Sequence, residues 1–229
     1  MVNEKRCFFC VLFLLGMSLL VLIGGEFGLK VEQKHKAEVF KQNLKMAKKV
    51  SIHKNVKNYG DQAQGVTNDL ALSDMISIQE HAIKKGITKQ VTGHIQIPSI
   101  HCDLPIYCGA NSDTLSLGAA TYFYDDAEMG KGNYVLAGHN MEEPGVLFSD
   151  LLDVQKGDMM ELTGIDHVYQ YRVTNQFVVP EYYTLEDGFP VAGSFLALPE
   201  SGEKPKLTLF TCIYTAQGKE RYVVQGELI

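Results

Sequence analysis

The chain has 229 residues, of which 45% are hydrophobic and 21% charged, and its formal net charge is −6. An acidic chain without a basic face excludes a nucleic-acid binder. Five cysteines lie at spacings that fit neither a disulfide framework nor a zinc site.

Residues 1–6 form a short tail ending in Lys5 and Arg6, and the nineteen residues from Cys7 to Gly25 carry no charge. A bilayer core about 30 Å thick is crossed by about 20 apolar residues in a helix. The run is longer than a secretory h-region and no A-x-A-like cleavage site follows. Residues 7–25 are therefore expected to be an uncleaved transmembrane anchor. Charge alone favours the opposite orientation, with the N-terminus outside, because Lys30, Lys34, Lys36, Lys41 and Lys45 crowd the other side against Lys5 and Arg6.

Nine lysines against Glu32 and Glu38 leave residues 30–57 at +7, whereas residues 58–229 carry −13. This is the pattern of a basic stalk before an acidic globular domain. The stalk suits a solvated helix better than a specific site for an anionic surface. Residues 30 to about 58 read as helical. The stretch "NDLALSDMISIQEHAIKK" reads as a second helix with an Asn or Ser cap and an end at Gly86. Residues 26–90 are thus assigned to the stalk and an N-terminal helical region.

From Val91 the texture becomes β. "GHIQIPSI", "CDLPIYCG", "GNYVLAGH", "DMMELT", "HVYQYRVTNQFVV", "KLTLFTCIYT" and "ERYVVQGELI" alternate or are β-rich, with turn residues between them. A closed or sandwiched antiparallel sheet over residues 91–229 is predicted. Cys102 and Cys108, six positions apart on extended chain, are too far apart for a disulfide. Cys7 and Cys10 lie in the apolar run.

In "LTLFTCIYT" one face carries Leu207, Leu209, Thr211 and Ile213, and the other Thr208, Phe210, Cys212 and Tyr214. Cys212 near the strand end is either a small buried hydrophobe or a nucleophile at the rim of a sheet. A turn centred on Gln217-Gly218 pairs Tyr214 with Arg221 and Cys212 with Val223, making Cys212 and Arg221 diagonal neighbours. A cation there favours a thiolate or an oxyanion; the alternative is a plain surface arginine. Of the seven histidines, His35 and His53 lie in the stalk and His81 on the second helix. His94 begins a strand in charge-free surroundings, and His101 and His167 lie in turns. His139 differs: "YVLAGHN" delivers it at the end of a buried strand, after a glycine.

These segments resemble the sortases. "TLFTC" matches their TLxTC signature, "LAGHN" with "GVLFSDL" resembles their histidine segment, and "ERYVVQGEL" resembles their arginine strand. "GHIQIPSI" and "LPIYCGA" resemble the first strands of the class A, or housekeeping, branch. The resemblance implies a mainly β fold: a closed eight-stranded sortase β-barrel with short helices, outside the membrane of a Gram-positive bacterium. It fixes the anchor as single-pass with a cytoplasmic N-terminus. By the same resemblance Cys212 is the nucleophile, His139 the general acid and base, and Arg221 the oxyanion or substrate stabiliser. Thr211 assists at the tetrahedral oxygen, and Ala137, Thr208 and Phe210 line the groove. Cys108 stands where a polar or acidic residue is expected.

The implied chemistry is cysteine transpeptidation. An LPXTG-like sorting signal of a surface protein is cut between Thr and Gly, and the thioester passes to an amine of a lipid-linked peptidoglycan precursor for cell-wall anchoring. No cofactor is required. Calcium, bound by some class A members, has candidate ligands in Asp125, Asp126 and Glu128, with Glu186 and Asp187 in a later loop; a solvated acidic loop is the alternative. Two other readings are a thiol protease or amidase hydrolysing the same acyl-enzyme, and a non-catalytic membrane-tethered β-domain for surface assembly.

Overall fold

A computed structural model describes residues 26–48, 50–53 and 70–229. The tail and anchor expected at residues 1–25 lie outside the described residues, as does the stretch 54–69. Among the described residues no helix is long and apolar enough to cross a membrane.

Residues 26–48 form helix α1, and residues 50–53 are not helical, so the helix is shorter than expected. The chain divides after Val39 into two compact units. In the first, Lys36 pairs with Glu32 at 2.7 Å one turn away. The second runs from Phe40 to Ile229. Phe40, Leu44 and Ala47 are buried at helical spacing between lysines, and Phe40 and Leu44 join the core of the barrel. The high lysine content of this stretch masks that stripe.

Helix α2 spans Leu72–Lys84 and buries Met75, Gln79 and Ala82. Its N-cap is Ala71, with no side-chain cap, instead of the expected Asn or Ser; Asp74 supplies negative charge in the first turn. A short helix α3, Ser112–Leu117, was not legible in the sequence. It starts with a reciprocal capping box between Asn111 and Thr114.

Eight strands close into a barrel: β1 (Val91–Ile97), β2 (Cys102–Tyr107), β3 (Ala119–Thr121), β4 (Asn133–Ala137), β5 (Met159–Thr163), β6 (Val168–Pro180), β9 (Lys206–Thr215) and β10 (Gly218–Leu228). Strands β7 (Leu185–Glu186) and β8 (Phe189–Pro190) form a separate small hairpin. Around the barrel the order is β1-β2-β3-β4-β9-β10-β6-β5. The sheet is not wholly antiparallel as expected: β2 runs parallel to β3, and β4 parallel to β9. Parallel neighbours need a crossover, and α3 lies in the β2–β3 connection.

Strand alternation divides the core. Leu136, Leu207, Leu209 and Val224 belong to one cluster with Ile95, Ile106 and Tyr171. Val135, Ala137, Phe210 and Val223, on the other face of the same strands, pack in a second cluster with Leu115, Leu117, Phe195 and Leu196. This second face carries the candidate site.

The β9–β10 turn is Ala216-Gln217, so the expected register is displaced by two residues. Cys212 pairs directly with Arg221, and Tyr214 with Lys219. An even displacement keeps every side chain on its expected face. Gly218, with φ of 108°, adopts a backbone conformation that an L side chain resists.

Candidate active site

Three adjacent strands deliver the three expected residues. The parallel β4–β9 ladder runs from Asn133↔Lys206 to Ala137↔Phe210. Two positions further along each strand stand His139 and Cys212. On the other side of β9, Arg221 faces Cys212. The residues therefore lie in a row across β4, β9 and β10, at the C-terminal ends of β4 and β9.

The backbone at His139 is fixed from three directions. The Gly138 N–H donates to the Phe210 carbonyl at 3.1 Å, and the Phe148 N–H donates to the His139 carbonyl at 2.9 Å. The Thr211 hydroxyl donates to the Gly138 carbonyl at 2.7 Å. Position 138 has no room for a side chain, since a Cβ there would stand 2.3 Å from the Phe148 ring. A glycine lets the ring pack on the strand end and seat the histidine.

The His139 side chain is 9% exposed. Burial, aided by the nearby Lys219 ammonium, holds its imidazole pKa down to about 4. At neutral pH the ring is uncharged, as a base requires. Lys219 lies two residues before Arg221 on the same strand face and pairs with Glu181 at 3.7 Å.

Arg221 is only 3% exposed. Aromatic rings surround its guanidinium: Phe210 at 4.9 Å, Tyr122 at 5.5 Å and Tyr183 at 5.5 Å from the ring centroids. Among the described residues, its Nε and Nη1 are buried without a hydrogen-bond partner. Unspent buried donors cost stability, and their retention beside a thiol points to an acceptor that arrives with a substrate.

The other expected residues are placed as follows. Thr208 is fully buried, and its hydroxyl donates to Asn133 Oδ1 at 2.7 Å and accepts from Gln225 Nε2 at 3.0 Å. Thr211 is 1% exposed, with its hydroxyl donated to Gly138 rather than held out toward a substrate. Phe210 lies beneath Arg221, and Ala137 is buried in the same cluster. Reasoning from sequence missed Tyr122, Tyr183 and Lys219. The aromatic run "TYFY" and the spacing of Lys219 from Arg221 were the available signals.

His94 is not in charge-free surroundings. Burial lowers its pKa, Asp103 opposes that shift, and Lys48, paired with Asp103 at 3.2 Å, adds to it. None of the three described cysteines forms a disulfide. Burial pushes the Cys102 thiol up to about 12 and also raises that of Cys108. Both are inert positions by comparison with a rim thiol.

The sortase-domain family model matches residues 95–229. The chain belongs to the sortase family. It is 33% identical over 230 residues to Sortase A of Bacillus anthracis, covering 99% of this chain and 97% of that protein. It is also 33% identical over 138 residues to Sortase A of Listeria monocytogenes, covering 60% and 56% of the two chains. The crystal structure of the Listeria enzyme aligns with a TM-score of 0.52 at 34% identity, over 61% of this chain and 88% of that one. Sortase C1 of Streptococcus agalactiae, 22% identical, shares the fold at a TM-score of 0.52. The protein is a sortase, and its closed eight-stranded barrel matches the solved Listeria sortase it resembles.

In this sortase the candidate calcium ligands stand in two separate segments of the chain. Asp125, Asp126 and Glu128 line a cleft with Thr121 and His167, but Glu128 is held by Lys131 at 2.5 Å. Among the described residues no three His, Cys, Asp or Glu side chains converge on a metal position. Glu186 and Asp187 are exposed on the β7–β8 hairpin.

Proposed function

We propose that this sortase is a class A transpeptidase with Cys212 as nucleophile, His139 as general base and acid, and Arg221 as the oxyanion donor. The observation that carries this reading is the row of His139, Cys212 and Arg221 across three neighbouring strands. Its resemblance to Sortase A over nearly the full length of the Bacillus protein favours class A.

An LPXTG-like sorting signal of a surface protein lies against the β9–β10 face. The Cys212 sulfur attacks the Thr carbonyl while its proton passes to His139. The carbonyl oxygen becomes an oxyanion and accepts the unspent Arg221 N–H groups. The tetrahedral adduct collapses as His139 returns the proton to the leaving glycine amine, giving a thioester. An amine of a lipid-linked peptidoglycan precursor then attacks, losing its proton to His139, and the thiol is released. The new amide replaces the broken one, so the transfer needs no nucleotide. In this reading residues 7–25 anchor the chain as a single span, with residues 1–6 in the cytoplasm and the catalytic unit outside.

Mass spectrometry of the enzyme incubated with an LPXTG-type peptide and a glycine-terminated amine tests the proposal. A thioester on Cys212 and a ligated product are expected, and Cys212→Ala forms neither. Free acid as the sole product, with amine in excess, would identify a hydrolase instead. Ligation retained by a folded Cys212→Ala protein would overturn the assignment.

A further inference from the structure

The surroundings of Arg221 raise a question that its own role leaves open. A buried guanidinium is ordinarily held by a carboxylate, which would occupy its N–H groups and offset its charge. Here its neighbours are the faces of Phe210, Tyr122 and Tyr183, and Nε and Nη1 remain unspent. A ring face attracts a cation without consuming an N–H.

We propose that Tyr183, braced by Tyr122, is a positioning residue that aligns the Arg221 guanidinium while leaving its donors and charge for the substrate. The proposal rests on the reading of Arg221 as oxyanion donor. The two tyrosines come from different connections. Tyr122 follows β3 and is 4% exposed, and Tyr183 lies in the segment after β6. Their hydroxyls share a hydrogen bond of 3.3 Å, and their rings meet edge to face with centroids 6.4 Å apart.

Each ring is also braced from behind. Phe210 meets Tyr122 at 5.0 Å and Phe195 at 5.5 Å, and Phe195 meets Tyr183 at 6.3 Å. The Phe195 backbone is itself tied down, because its carbonyl accepts from Asn133 Nδ2 at 3.0 Å and Gln225 Nε2 at 3.1 Å. The aromatic group thus spans the barrel wall and the segment leading into β9. Arg221 is aligned only when that segment is docked. Coupling of this kind makes the oxyanion donor depend on the wall of the substrate groove.

Tyr183→Phe and Tyr183→Leu in the full-length enzyme separate a ring face from simple bulk. Leucine is expected to lower kcat for peptide cleavage about 10-fold, with KM little changed. Phenylalanine, which keeps the ring, should restore most of kcat. Alkylation of Cys212 by iodoacetamide, which forms no oxyanion, should proceed at the parent rate in both variants and so reports an intact thiol site.

A leucine variant with the parent's kcat overturns the proposal, as does a phenylalanine variant as slow as leucine. A loss confined to KM would place Tyr183 against the substrate and also overturn it. Failure of the parent enzyme to form a thioester would instead refute the function on which the inference rests.

Discussion

Cys212 and Arg221 are directly opposed residues of the β9–β10 ladder, closer partners than the diagonal pair the sequence suggested. Arg221→Lys keeps the charge but loses the planar fork and the delocalised face that stacks on rings. Peptide cleavage is expected to fall by a factor on the order of 10²–10³, the usual cost of a lost oxyanion donor. Alkylation of Cys212 by a small neutral reagent should change far less. Equal losses in both assays would show that Arg221 acts by tuning the thiol.

The buried imidazole of His139 gives a stability signature. Its folded pKa of about 4 is below the unfolded value, so the unfolded chain binds the extra proton between about pH 6.5 and 4. Stability is therefore complete above pH 6.5 and falls as the pH drops toward 4. For this one group the loss approaches roughly 3 kcal/mol. Urea titrations at a series of pH values, on the parent and on His139→Gln, should differ in slope within that window. Parallel pH profiles would mean that the imidazole is as readily protonated folded as unfolded.

Thr211 supports the histidine through its hydrogen bond to the Gly138 carbonyl. Thr211→Val keeps the shape and removes the hydroxyl, with an expected cost of about 1–2 kcal/mol in urea denaturation. The cleavage rate should also fall, since residue 138 adjoins His139. Thr211→Ser retains the donor and should recover most of both. If valine is as active and stable as threonine, the bond has no supporting role.

Gly138→Ala places a methyl group where the Phe148 ring already lies, 2.3 Å from its Cδ2. Displacing a packed aromatic is expected to cost about 1–3 kcal/mol. His139 should shift with the backbone, so thioester formation should slow while thiol alkylation does not. A crystal structure of the variant with Phe148 and His139 unmoved would contradict this.

Much of the barrel was legible because its strands are long enough to alternate. "KLTLFTCIYT" and "HVYQYRVTNQFVV" became β9 and β6. Strand β3 was not, because Ala119, Ala120 and Thr121 are too few to show a period, and α3 hid behind a capping box in a polar stretch. Cys212, His139 and Arg221 were singled out through their segments, and the common face of Cys212 and Arg221 survived a misplaced turn because the register error was even. The aromatic surround of Arg221 was beyond reach. Tyr122, Tyr183 and Phe210 are far apart in sequence, and only barrel closure and the docked segment after β6 bring their rings together.

The parallel pairing of β4 with β9 has a consequence for folding. Thr211 and Gly138 are 73 positions apart, so their strands meet only after a large loop closes. Such non-local pairing forms slowly, and the barrel has two parallel seams of this kind. Until the seam beside β9 is made, Cys212 has no imidazole level with it on a neighbouring strand. The β9–β10 hairpin, a local contact, can form first and bring arginine to the thiol. On the proposed roles of Cys212 and His139, reactivity toward a peptide comes late in folding, and an unfinished chain carries the nucleophile without its base.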